Sequence, residues 1–116
     1  MRDLIKAFKA LSDETRIRML KLLLERDICV CEMEHIFPIS RSQVSRNLKI
    51  LMDAGFLKRW REGKSVVYVA DRSNCNQYCW AVLRLLADSF NDEETTAKDR
   101  EKLRQVIADK VRERSK

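Results

Sequence analysis

Two thiols stand one residue apart in this chain, within Asp27-Ile28-Cys29-Val30-Cys31-Glu32-Met33. Thiolates are soft ligands for thiophilic metal ions and also oxidise reversibly, so this pair can support metal or redox chemistry. A second pair, Cys75 and Cys79, is spaced i, i+4, which on a helix brings the two Cβ atoms to about 5–6 Å on one face. Four cysteines in a chain of this kind read as reduced thiols rather than structural disulfides. The candidate metal ligands are therefore Cys29, Cys31, Cys75 and Cys79. The plainer alternative is that some of them pack as small hydrophobes, for which Tyr78 and Trp80 give the second pair suitable neighbours. His35 is the one histidine, and it reads as a partly buried imidazole. Side chains at i and i+2 diverge by about 200° around a helix, so Cys29 and Cys31 could share one ion only if the start of their helix unwound.

Most of the elements that must position these thiols are helical. Leu4, Ile5, Phe8 and Leu11 recur at helical spacing over residues 3–10. Ser12 or Asp13 can cap a second helix carrying Ile17, Met19, Leu20, Leu22, Leu23 and Leu24 and ending near Arg26-Asp27. A short helix through Val30–Phe37 is stopped by Pro38. Ser40-Arg41-Ser42-Gln43 is a capping box, with Ser at the cap and Gln three residues on. The helix that it opens has Val44, Leu48, Leu51 and Ala54 inside and ends at Gly55. Phe56–Arg61 and Ser65–Ala70 flank Glu62-Gly63-Lys64 as a two-stranded hairpin. Asn74 can cap a further helix across residues 75–89, whose apolar residues lie on more than one face. Residues 91–116 have a weak stripe of Leu103, Val106, Ile107 and Val111, which fits either a helix on the core or a frayed tail.

The chain has 116 residues and a net charge of +6. That charge is concentrated: residues 41–64 hold seven basic residues against two acidic ones, whereas residues 91–116 hold eight against seven. Clustered positive charge is the footprint of phosphate contacts. Two helices joined by a short turn at Pro38-Ile39, the second polar outside, fit a major-groove reader. Its outward residues are Arg41, Ser42, Gln43, Ser45, Arg46 and Lys49; Gln can pair with adenine, Arg with guanine, and Ser and Lys with phosphates or base edges. Arg59, Arg61 and Lys64 on the hairpin could follow the adjoining backbone or minor groove. The alternative for this segment is an ordinary helical hairpin with a solvated basic face.

These motifs in succession resemble the ArsR/SmtB family of bacterial metal-responsive repressors over residues 8–70. The matching runs are Leu11-Ser12-Asp13-Glu14-Thr15-Arg16-Ile17-Arg18-Met19-Leu20, Ile28–Met33, Ser42–Leu51 and Ala54-Gly55-Phe56-Leu57. The resemblance implies a mainly α fold with a small β-hairpin, a winged helix-turn-helix, acting as a homodimer with its first and last core helices at the interface. It also implies repression by binding operator DNA, relieved by a metal or metalloid. The family pattern has His after the Ser-Arg pair, where this chain has Asn47. The Cys-Val-Cys box is similar to that of arsenic- and antimony-sensing members, whose third Cys is replaced here by Glu34. Trivalent arsenic prefers three thiolates, so a third thiol from Cys75 or Cys79 of either subunit, or from a small exogenous thiol, is expected. Some members carry metal sites on the last core helix, which leaves Cys75 and Cys79 open to a separate site. Cadmium, zinc or lead through thiolates, and thiol oxidation, are the alternative signals.

The expected organisation is a winged helix-turn-helix DNA-binding and dimerisation domain over residues 1–90, followed by a charged C-terminal helix or tail over 91–116. No nucleophile–base pair, phosphate loop or catalytic carboxylate pair is evident, so an enzyme is not expected. Met1-Arg2-Asp3-Leu4 runs directly into an amphipathic pattern, and no apolar stretch approaches the ~18 residues of a membrane span. A cytoplasmic protein without membrane contact is the expectation.

Overall fold

The computed structural model describes residues 1–73 and 76–114. Helix α1 (Arg2–Ala10) buries Ala7 and Ala10 rather than the bulkier stripe that its periodicity suggests; Ile5 and Phe8 remain 45% and 60% exposed. The small residues let α1 lie close against the rest of the chain, and the large ones are left facing outward. Helix α2 (Glu14–Leu23) starts at Asp13, whose carboxylate accepts the Arg16 backbone N–H at 3.0 Å. Its buried Met19, Leu20, Leu22 and Leu23 form the centre of the core.

The next element differs from the expected helix-only reading. Ile28–Cys29 is a two-residue strand, β1, followed at once by helix α3 (Val30–Ile36). Ile28 and Cys29 pair antiparallel with Tyr68 and Val67. Helix α4 (Arg41–Asp53) follows the Pro38-Ile39 turn and buries Val44, Leu48 and Leu51. It ends at Gly55, whose φ of 94° strains any residue with a side chain, and a Cβ there would come within 3.1 Å of the Cys79 Sγ. Strands β2 (Leu57–Glu62) and β3 (Ser65–Ala70) form the expected hairpin around Gly63, and β1 extends it to a three-stranded sheet in the order β1-β3-β2.

Helix α5 (Gln77–Ala87) begins later than expected, because Asn76 rather than Asn74 is the cap: its Oδ1 accepts the Tyr78 and Cys79 N–H groups, each at 3.0 Å. Asn74 and Cys75, on which the expected start fell, lie outside the described residues. The C-terminal segment forms α6 (Glu94–Ala108) and the short α7 (Val111–Arg114). Helix α6 packs on α2 and α3 through Leu103 and Val106. It is also tied to α2 by a two-pronged Arg18–Asp99 ion pair of 2.9 and 2.8 Å. The buried Lys21 ammonium donates to the last carbonyls of α5, Leu86 O at 2.8 Å and Ala87 O at 3.1 Å, and so caps that helix. Among the described residues no helix is long and apolar enough to cross a membrane.

Candidate thiol site and nucleic-acid interface

Cys29 belongs to β1 and is also the N-cap of α3, with an extended backbone at φ −88° and ψ 164°. It therefore lies outside the helix, and the 200° separation expected of two helical residues does not apply. The helix need not unwind for Cys29 and Cys31 to interact. Burial pushes the Cys29 thiol up to about 12, and its interaction with the Cys31 side chain adds to the rise. Both thiols are buried.

The turn is held by a capping box in which a Cys takes the place of the usual Ser or Thr. The Glu32 backbone N–H donates to the Cys29 Sγ at 3.4 Å, and the Glu32 Oε1 accepts the Cys29 N–H at 2.8 Å. That carboxylate, itself buried, takes two more bonds from Arg112 of α7: Nε at 3.1 Å and Nη2 at 2.8 Å. Arg112 also binds Asp27 Oδ1 at 2.9 Å and lies 3.6 Å from Glu62 Oε2 at the end of β2. Burial alone would lower the Arg112 pKa, but its bonds to Glu32 and Asp27 outweigh that and raise it. The guanidinium is thus a permanent cation among three carboxylates.

The other candidate ligands are placed differently. Cys79 is fully buried and its thiol donates to Ala54 O at 3.2 Å, so it packs α5 against the end of α4. Cys75 lies outside the described residues. His35 is exposed, and its Nδ1 donates to Cys31 O at 2.8 Å. Glu34, which stands where the resembling sensors have a third Cys, lies 3.3 Å from the Arg41 Nε. The contact lacks hydrogen-bond geometry, and the Glu34 Oε1 makes no hydrogen bond among the described residues. Among the described residues no three His, Cys, Asp or Glu side chains converge as a metal set. The donor chemistry present is a pair of thiols, which suits a soft ion bound through two sulfurs.

Helix α4 stands next to this turn in the chain. Ser40 Oγ accepts the Gln43 N–H at 3.2 Å and Gln43 Oε1 accepts the Ser40 N–H at 3.0 Å, which completes the expected capping box. Gln43 is thereby partly committed to the cap, with its amide NH2 left to donate elsewhere. Arg41, Ser42, Ser45, Arg46 and Lys49 are exposed on the same helix, Lys49 within 3.4 Å of Asp53. Asn47 faces inward and accepts from Arg16 Nη1 at 3.2 Å, which links α4 to α2. On the hairpin Arg59, Arg61 and Lys64 are exposed, and Arg59 donates to the Tyr68 hydroxyl at 3.3 Å. A polar basic helix following a turn, flanked by a projecting basic β-ribbon, has the form of a nucleic-acid interface.

The architecture is that of a winged helix-turn-helix. The segment spanning residues 13–59 matches the model of the arsR family of bacterial regulatory proteins. It is 40% identical over 76 residues to the cadmium resistance transcriptional regulatory protein CadC homolog of Staphylococcus aureus, covering 65% of this chain and 63% of that one. It is 44% identical over 62 residues to the arsenic resistance transcriptional regulator ArsR1 of Pseudomonas putida, covering 53% of this chain and 48% of that one. The chain thus spans 63% and 48% of the length of these two relatives. Among solved structures, the crystal structure of M. tuberculosis Rv0081 is 30% identical, with a TM-score of 0.55, over 90% of this chain and 88% of that one.

Proposed function

We propose that the chain is a homodimeric transcriptional repressor that binds operator DNA through α4 and the β2–β3 wing and is released when trivalent arsenic or antimony binds Cys29 and Cys31. The observation that carries this reading is the proximity in sequence of a thiol turn to the DNA-reading helix: α3 begins at the thiols and ends four residues before the cap of α4. A ligand that alters the start of α3 changes how α4 is presented, and so shifts the dimer away from the geometry that fits the operator. Arsenite reacts as As(OH)3: two S–H and two As–O bonds break, two As–S bonds form, and two waters leave. The third arsenic ligand is then the remaining hydroxide, an exogenous thiol or Cys75.

The dimer reading is supported by apolar surface that this chain leaves uncovered. Ile5 and Phe8 of α1 are joined by Trp80 and Leu85 of α5, which are 52% and 64% exposed. Large exposed apolar residues on the two terminal core helices fit a self-complementary interface.

The test is fluorescence anisotropy of the reduced protein on promoter DNA, titrated with arsenite. Wild type should be released, and Cys29→Ser/Cys31→Ser should stay bound. Retention of wild type on DNA at saturating arsenite would sink the arsenic reading. Cadmium, the signal named for one relative, and mild oxidant are then run in the same assay. Salt dependence of the DNA affinity checks the phosphate contacts, since counterion release makes affinity fall steeply with salt.

A further inference from the structure

The C-terminal segment is not an appendage on the sensor turn. One buried carboxylate oxygen, Glu32 Oε1, is shared between the Cys29 N–H and the Arg112 guanidinium, with bonds of 2.8, 3.1 and 2.8 Å. The same Arg112 Nη2 reaches Asp27 Oδ1 at 2.9 Å and Asp27 O at 3.2 Å, immediately before β1. Its Nη1 lies 3.6 Å from Glu62 on the wing. Arg112 is brought there by a turn at Lys110, whose φ of 53° takes the backbone out of α6 and sets α7 against α3. Val111 beside it is buried and anchors the turn. A cleft of about 240 Å³ opens from solvent at this point, lined by Glu32, Glu62, Lys110 and Arg112 among others but by neither thiol. The Glu32–Arg112 pair lines this cleft, and Glu32 bonds directly to the Cys29 backbone N–H.

We propose that residues 94–114 form a latch on the Cys29/Cys31 pair, closed by Arg112. The inference rests on Cys29 and Cys31 being the sensing thiols. To take a ligand, Cys29 must give up its capping contact with the Glu32 N–H, and the returning Glu32 carboxylate is held by Arg112. Ligand entry and release of Arg112 are thus one event. Because the guanidinium also faces Glu62, that event loosens the C-terminal end of β2 in the wing. Arg112 acts on the thiols through Glu32, as a positioning residue and not as a ligand.

The experiment is timed alkylation of the reduced full chain by N-ethylmaleimide, without DNA or arsenical, read at each cysteine by mass spectrometry. The thiol S–H adds across the maleimide double bond, so nothing further is consumed. Cys79 is the internal control, since it is buried in the core on another element and reports global opening. Arg112→Met should accelerate labelling of Cys29 and Cys31 at least tenfold while leaving Cys79 unchanged, and Arg112→Lys should fall between that variant and wild type. Equal acceleration of all three thiols would mean that Arg112 only stabilises the fold, and no acceleration in a folded variant would mean that there is no latch; either overturns the proposal. Should Arg112→Met fail to fold, Glu62→Gln removes the negative charge that faces Arg112 from the wing and should speed Cys29 and Cys31 two- to threefold, with an unchanged rate counting against the latch. Failure of the sensing reading shows separately, as wild type that stays on operator DNA despite saturating arsenite, and leaves these rates as they are.

Discussion

Two capping boxes of the same design open consecutive helices in this molecule, and they behave differently. At α4, Ser40 and Gln43 exchange backbone bonds at an exposed helix end. At α3, Cys29 and Glu32 do the same, but in the interior, with the carboxylate also holding Arg112. The exposed box satisfies amides that water would otherwise reach, so its net worth is small. The buried box has no such substitute: remove one partner and a buried N–H and a largely buried guanidinium are both left short of an acceptor. The comparison teaches that one local motif can be a finishing detail in one place and a structural keystone in another. The difference is set by burial and not by the motif.

The sharpest way to break the comparison is to remove the acidic member of the buried box. Glu32→Ala should cost roughly 3 kcal/mol, the low end of the ~3–5 kcal/mol expected when one partner of a buried pair is lost, because Arg112 keeps Asp27. Gln43→Ala in the exposed box should cost about 0.5–1 kcal/mol. Urea unfolding of the two variants measures both. Equal costs would show that burial does not distinguish the boxes.

The two caps also separate by pH. Ser40 does not titrate, whereas burial raises the Cys29 thiol from an ordinary 9.0 to about 12. A folded-state pKa raised in this way contributes stability that is fully present below pH 9 and is lost as pH climbs from 9 through 12. Wild type should therefore weaken across that window relative to Cys29→Ser, while below pH 9 the difference between them stays constant. Lys21, whose pKa is lowered chiefly by burial, contributes with the opposite sign, but it is common to both proteins and cancels. Urea midpoints at several pH values provide the check, and parallel profiles for the two proteins would refute the assignment.

Much of this was legible in the residues. Helix α4, its Ser-x-x-Gln cap and the wing follow from capping chemistry, period and a Gly turn, all of which are local. What escaped is non-local. β1 is two residues long, too short for any periodicity to register, and exists because β3 offers it an edge. Cys-x-x-Glu differs from the usual Ser/Thr-x-x-Glu box in its first residue, and a thiol points first to metal chemistry rather than to a cap. In α1 the spacing of the large apolar residues predicts a core face of Leu4, Ile5 and Phe8, yet the helix buries Ala7 and Ala10. Arg112 lay in a tail of eight basic and seven acidic residues, where nothing local marks one guanidinium as buried. The i, i+4 spacing of Cys75 and Cys79 bears on a pair of which only Cys79 lies among the described residues.

The smallest stability effects belong to the exposed face, and there the comparison turns from folding to recognition. Ser40→Ala should lose about 1 kcal/mol as a cap substitution. Arg46→Ala, an exposed residue with no hydrogen bond or ion pair among the described residues, should stay within about 0.5 kcal/mol of wild type. On DNA the order should reverse. A base-reading Arg is worth about 1–3 kcal/mol of discrimination, so Arg46→Ala should weaken operator binding roughly tenfold or more and relax preference at one base position. If Arg46 instead touches phosphate, the loss should be uniform across sequences and the salt dependence should fall by about one counterion. Anisotropy at several salt concentrations, on operator and scrambled DNA, separates the two contacts. Unaltered affinity on both DNAs would remove Arg46, and with it the middle of the exposed α4 face, from the interface.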